Sequence, residues 1–173
     1  MTTLSAAATT YNCTPSNTTA EINATIACAA PGSTFNFATG SYSGDLVVPA
    51  GRDHMNLVLA DGAKINANSP CFTVGADFTT IKAEHIGMAA CYPSGGSDGI
   101  IVAALIRNLT VDGLEISGIA ADGITNLATR DGIHYDGVIF DTVLKDNFIH
   151  DLDVNGVFFG GQPVALTPGG IDI

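Results

Sequence analysis

The sequence predicts an all-β solenoid of about six coils, closed at its N-terminal side by one short helix. Three observations point there. First, Asp98-Gly99-Ile100-Ile101-Val102, Asp131-Gly132-Ile133-His134-Tyr135 and Asn155-Gly156-Val157-Phe158-Phe159 share one pattern, an Asx-Gly turn followed by an apolar-x-apolar run, and the last two set a 24-residue offset. Second, Leu109-Thr110-Val111-Asp112-Gly113-Leu114-Glu115-Ile116 returns after a longer, 33-residue offset as Thr142-Val143-Leu144-Lys145-Asp146-Asn147-Phe148-Ile149. A repeat of this length, built from short β-type runs with Asx or Gly at the corners, is that of stacked coils rather than of a sandwich. Third, the chain is 46% hydrophobic and 13% charged, with 20 Gly and no Trp, a composition that suits β-structure and turns and excludes disorder.

The elements follow in order. Residues 1–18, rich in Thr, Ala, Ser and Asn, form an extended N-terminal arm held at Cys13. In residues 19–32, Ile22, Ile26 and Ala29 share a helical face and Pro31-Gly32 stops the helix, so this segment serves as a cap over the first coil. Phe35 and Phe37 alternate with polar neighbours, Gly40 to Gly44 turn, and Leu46-Val47-Val48 forms the next strand. Further strands are expected at 56–59, 64–66, 71–74, 79–82 and 100–102, each too short for a sandwich and right for one side of a coil. Residues 19–173 thus make one solenoid domain, cap included. Ala120 to Leu127 is an insertion that stretches one repeat to the 33-residue form, and such loops often form a solenoid's binding face.

Charge and cysteines bound the setting. A formal net charge of −11 opposes phosphate backbones and anionic lipid, so neither nucleic acid nor a membrane surface is expected as partner. No apolar run is long enough to span a bilayer, and Met1-Thr2-Thr3-Leu4 lacks the basic and apolar regions of a signal peptide. The four cysteines fall into two local pairs without zinc-type spacing. Disulfides Cys13–Cys28 and Cys71–Cys91 are the preferred pairing among three connectivities, and they point to an extracellular or cell-surface protein. Asn12, Asn17, Asn23 and Asn108 each begin an Asn-x-Thr triplet, the N-glycosylation pattern, which a chain rich in Asn and Thr also generates by chance.

The helix, then Ala30-Pro31-Gly32-Ser33-Thr34-Phe35 and Thr39-Gly40-Ser41-Tyr42, resembles the opening of the pectin-lyase-like superfamily, and the Asp-Gly-Ile and Asp146-Asn147-Phe148-Ile149 elements resemble its repeats. The resemblance implies a right-handed parallel β-helix. More narrowly, Ala67 to Val74 and Ile149-His150-Asp151-Leu152 with Asn155-Gly156-Val157 are similar to large repetitive bacterial surface proteins. Function is not implied with it, because that superfamily holds lyases, hydrolases, tailspikes and non-enzymatic surface proteins. It does imply that sugar chains bind on the outer face of a parallel sheet, and that an inward Asn such as Asn147 joins a ladder between coils, which Leu114 would interrupt.

The densest polar residues lie in the last coils. A 24-residue offset sets Asp131 beside Asn155 and His134 beside Phe158, turns Ile133 and Tyr135 inward and sends His134 to solvent. If the protein is an enzyme, Asp131, His134, Asp136 and His150 are the candidates for acid/base work on a glycan, by hydrolysis or by lyase chemistry. Their spacing matches no catalytic signature, and six Lys and Arg are few for an acidic polysaccharide. Turn Asp and Asn also cap β-arcs by accepting backbone N–H groups, which is the plainer account of them. No metal site is expected. An acidic ridge of Asp141, Asp146, Asp151 and Asp153 is the one place offered to calcium, without an Asp-x-Asp-x-Asp-Gly loop.

The same 24-residue offset aligns Ile171 with Asn147 and Ile173 with Ile149, so the sequence stops within a coil. Unpaired strand edges and an apolar cross-section would then invite a further coil or another subunit. The expectation is a non-catalytic structural, filament-forming or adhesive module that assembles through open solenoid ends. The alternative is a carbohydrate-active enzyme or glycan-binding module, with Tyr92 and Phe158 as rings that sugars stack on, whereas Tyr135, a third aromatic, aligns with core positions and is expected to be buried.

Overall fold

The computed structural model describes residues 6–103, 105–137, 139–160 and 171–172. They form a nearly all-β solenoid of about six turns with a single short helix. Each complete turn contributes one strand to each of three parallel sheets, and the first and last described strands extend one sheet alone. The first sheet stacks Thr10–Cys13, Thr34–Phe37, Asn56–Leu59, Thr80–Ala83, Thr110–Asp112, Thr142–Lys145 and Ile171–Asp172. The second stacks Gly40–Ser43, Ala63–Ala67, Ala89–Pro93, Leu114–Ser117 and Phe148–His150, and the third Leu46–Val48, Phe72–Val74, Ile100–Val102, Asp131–Tyr135 and Asn155–Phe159. A two-stranded ladder, Ile106–Arg107 with Ile139–Phe140, fills one corner of the longer coils.

Alternation along each strand builds the core. In the first sheet, register aligns Phe35, Leu57, Ile81, Val111 and Leu144 in one inward column. In the third, Leu46, Phe72, Ile100 and Ile133 make another, and all of these side chains are buried. Each such residue contributes about 1.5–3 kcal/mol by leaving water. Aromatic rings stack at the coil spacing, Tyr11 on Phe35 at 4.8 Å and Tyr135 on Phe159 at 5.0 Å between ring centres, close to the ~4.8 Å between adjacent strands.

The Asx-Gly repeats now have a physical cause. Register carries Asp98, Asp131 and Asn155 into one column and Gly99, Gly132 and Gly156 into the next. A Cβ on Gly99 would run into the Gly132 carbonyl, and one on Gly132 into the Gly156 carbonyl, so the pitch of the stack admits no side chain there. Coil length varies around this fixed column. Inter-coil hydrogen bonds join residues 24 apart at Thr9 and Ser33, 22 apart at Thr39 and Asp61, and 33 apart at Asp98 and Asp131. The predicted 33-residue pairing of Thr110 with Val143 and the 24-residue pairing of Asp131 with Asn155 are both observed.

The cap is helix Thr19–Cys28, which ends earlier than the predicted 19–32 segment. Thr18 and Glu21 close a capping box at its start, and Ile22 and Ile26 are buried. Asn23 fixes it in place: its side-chain oxygen accepts from the Val47 N–H at 2.9 Å and its amide donates to the Asp45 carbonyl at 2.7 Å. The helix thus stands where a preceding third-sheet strand would be, one coil before Val47, and satisfies that strand's open edge. Residues of the arm are paired as well, Thr10–Cys13 lying parallel to Thr34–Phe37.

Two expectations need correction. Ile171 pairs with Thr142, not Asn147, because the last turn returns to the first sheet after 29 residues and not after 24; Ile173 lies outside the described residues. Cys71 and Cys91 are joined, with Cα atoms 6.0 Å apart, and link two successive coils through the core. Cys13 and Cys28 are not: Cys13 points inward from its strand and is buried, whereas Cys28 is exposed at the helix end. Burial raises the Cys13 thiol to about 11.

Candidate functional site

The four residues proposed for catalysis do not share a site. Asp131, His134 and Asp136 belong to the third-sheet strand and its end, whereas His150 ends a strand of the second sheet. Two separate polar constellations result.

The first is built on the Asx ladder. Asp98 Oδ1 accepts from the Asp131 N–H at 3.1 Å, and Asp131 Oδ1 accepts from the Asn155 backbone N–H at 3.1 Å and its side-chain amide at 2.9 Å. Each carboxylate therefore commits one oxygen to the next coil. The remaining oxygens turn to His134, whose Nδ1 lies 3.2 Å from Asp131 Oδ2 and 3.3 Å from Asp98 Oδ2. Its Nε2 lies 3.0 Å from Asp136 Oδ1, and Phe158 packs edge-on against the ring at 4.8 Å. His134 does leave the core, as its strand alternation requires, but it does not reach solvent freely: its side chain is 12% exposed, with Asp98 at 5% and Asp131 at 1%. Arg130 approaches Asp131 Oδ2 from outside at 3.8 Å.

This geometry does not suit glycoside hydrolysis. The converging atoms of Asp98, Asp131 and His134 all lie within 4.8 Å of one another, tighter than the roughly 5–9.5 Å that a sugar ring needs between two working carboxyls. Asp98 was absent from the predicted set, although the repeated Asp-Gly pair and the 33-residue repeat together place it directly beside Asp131.

The second constellation lines an open groove along the outside of the second sheet. Ser43, Asn66 and Tyr92 are register partners across three coils, and Ile116 beside Cys91 sets Ser117 next, followed by His150. Two adjoining hollows of about 470 and 380 Å³ follow this column and share Tyr92 and Ala120. One wall is the 120–127 insertion, which folds as a small hairpin. Ile119 bridges Asn126 antiparallel, and Asp122 accepts from Ile124 N–H, Thr125 N–H and the Thr125 hydroxyl. Those bonds hold the Asp122 carboxyl down to about 2. The Gly95 N–H donates to the Leu127 carbonyl and docks the hairpin on the preceding coil. At the groove's far end His150 sits between two carboxylates, Glu115 at 3.2 Å on Nε2 and Asp151 at 2.7 Å on Nδ1. Burial and the Glu115 charge raise the Tyr92 phenol.

The remaining candidates are structural. Asp141 and Asp146 hold left-handed turns, with φ of 50° and 55°. Asp141 stands where Asn108 and Phe78 stand in earlier coils, and Asp146 where Gly113 does, so these acids serve corners and do not gather round a cation. Among the described residues only Asp98, Asp131 and His134 converge as a metal-capable set; Asp151 is engaged with His150, and Asp153 is exposed. Asn147 bridges coils by accepting from the Leu114 N–H and donating to the Val111 carbonyl, so a single Asn links the coils where no ladder exists. Of the glycosylation candidates, Asn23 commits its amide to the third sheet and Asn17 accepts from the Thr14 N–H in a turn; Asn12 lies exposed on the first strand, and Asn108 holds its turn at φ 53°. Among the aromatic rings, Tyr135 is buried in the core as its alternation predicts and Phe158 covers His134, which leaves Tyr92 in the groove.

Among the described residues no helix is long and apolar enough to cross a membrane. Comparison with protein-family models, curated proteins and solved structures finds no match to this chain.

Proposed function

We propose that this chain is a non-catalytic module of the right-handed, pectin-lyase-like kind, structural in role and working outside the cell, which associates through the coil face formed by Phe148–His150 and Asn155–Phe159. The observation that carries this reading is Phe159. It continues the inward column under Tyr135, yet it is 44% exposed, and Phe148 on the neighbouring strand is 60% exposed. A core-facing ring left open to water favours a further layer. That layer is a second copy of the isolated chain, or the next coil where the polypeptide is longer.

The helix restricts the form of assembly. A filament needs two open ends, and at the other end Asn23 with the helix already closes the third sheet, leaving the short Thr10–Cys13 and Gly40–Ser43 strands as edges among the described residues. Contact through one face is isologous and stops at a dimer. The Cys71–Cys91 bridge supports an oxidising compartment. Light scattering over a concentration series, with electron microscopy, tests the reading. A monomer–dimer equilibrium that Phe159→Lys abolishes is expected; a strict monomer at all concentrations would refute it.

The groove favours a second reading, a glycan-binding module. A linear sugar chain laid along the solenoid axis would meet Asn66, Tyr92, Ser117 and His150 in successive coils, and the net charge of −11 favours a neutral glycan. Calorimetry with neutral oligosaccharides should then show binding that Tyr92→Ala removes, whereas no heat with any of them would sink this reading.

A further inference from the structure

We infer that Asp98, Asp131 and His134 form a zinc site that ties two successive coils together. The set is more than a patch of acid. Each carboxylate is anchored through Oδ1 to the backbone of the following coil, which leaves both Oδ2 atoms aimed at one ring nitrogen. That nitrogen carries at most one hydrogen for two acceptors. Two carboxylates with side chains only 5% and 1% exposed thus share one imidazole, Arg130 reaching Asp131 alone from outside at 3.8 Å, and such burial is tolerated when a cation sits between them.

The distances fit a particular ion. Zinc held tetrahedrally by bonds of about 2.0–2.2 Å keeps its ligand atoms roughly 3.4 Å apart. Nδ1 already stands 3.2 and 3.3 Å from the two carboxylate oxygens, and the three atoms lie within 4.8 Å of one another, so small side-chain movements bring them to that spacing. The far side of the ring is also prepared: Asp136 Oδ1 lies 3.0 Å from Nε2 and fixes the imidazole's tilt and tautomer, as the outer carboxylate does in zinc–histidine sites. Calcium is a poorer fit, since it takes six to eight oxygens and these residues supply two with a nitrogen. Three protein ligands leave the fourth position to solvent, the open form of a zinc site. Because Asp98 comes from one coil and Asp131 and His134 from the next, bound zinc stabilises the stack itself.

Calorimetric titration with zinc chloride, in a Cys28→Ser background that removes the exposed thiol, reads the stoichiometry and affinity. One zinc per chain is expected, with affinity reduced about tenfold or more in Asp98→Asn and in His134→Gln and unchanged in His150→Gln. Asp98→Asn retains the oxygen that accepts from Asp131, and circular dichroism in EDTA checks that each variant is folded. X-ray absorption at the zinc edge of the unsubstituted chain gives an independent reading, expected to show one imidazole and otherwise oxygen neighbours. Absence of stoichiometric zinc, binding that His134→Gln leaves intact, or an edge spectrum without imidazole would each overturn the assignment.

Discussion

Single residues in this fold are judged by what they do for the coil above and the coil below. Asp45 is an instructive case. It sits half-buried at the start of the first third-sheet strand, its two oxygens each 3.0 Å from the Thr73 hydroxyl of the next coil. Burial raises its carboxyl above the ordinary range, and the Thr73 hydrogen bonds offset only part of that. The folded chain therefore holds this proton more tightly than the unfolded chain, so the residue costs stability as pH rises from the unfolded to the folded pKa. Asp45→Asn, which keeps an acceptor for Thr73, should equal or exceed the parent in stability at neutral pH. Urea titration should show the difference closing as pH falls through the carboxylate range. Lys145 works in the opposite sense: Asp112, 3.0 Å away in the preceding coil, raises its pKa and explains one of the few cations in an acidic chain. Residue-scale reading of the sequence was weakest where partners come from another coil. Nothing local to Cys13 or Cys28 shows that one faces the core and the other faces water, and Asp98 gains its meaning only beside Asp131.

At the scale of the element, the strands are short and individually weak, so register has to be set elsewhere. The column of Gly99, Gly132 and Gly156 sets it, because at Gly99 and Gly132, as at Gly118, the backbone of the next coil approaches too closely for a Cβ. Gly132→Ala should destabilise the chain by about 2 kcal/mol or more, measured by chemical denaturation, whereas Gly51→Ala meets no neighbouring atom and pays only for its left-handed backbone. This feature was legible in the sequence, because a steric demand that recurs every coil leaves a recurring residue. The helix was legible for a similar reason, with Ile22 and Ile26 one turn apart. The final register was not: from residue 160 onward the chain carries no Asx-Gly pair before an apolar run, and a fixed 24-residue step had nothing to correct it. The groove was equally hidden, since Ser43, Asn66, Tyr92 and His150 form no pattern until unequal coils bring them into line.

For the whole molecule, charge and shape act together. A net charge of −11 repels a second copy once the two approach within about a screening length, while the exposed Phe148 and Phe159 favour contact. Association should therefore strengthen with added sodium chloride, seen as a lower dimer dissociation constant by sedimentation, and a constant that is independent of salt would place the contact away from the charged surface. The Cys71–Cys91 bridge bears on a different property, the response of the molecule to tension. Pulled by its two ends, a solenoid peels one coil at a time, each releasing its stored length in turn. The bridge spans 20 residues of sequence between neighbouring coils, so roughly 70 Å of contour stays locked when everything around it has unwound. Under oxidising conditions the chain is thus a tether with a fixed maximum extension, and a reductant that reaches the core lengthens it by that one step.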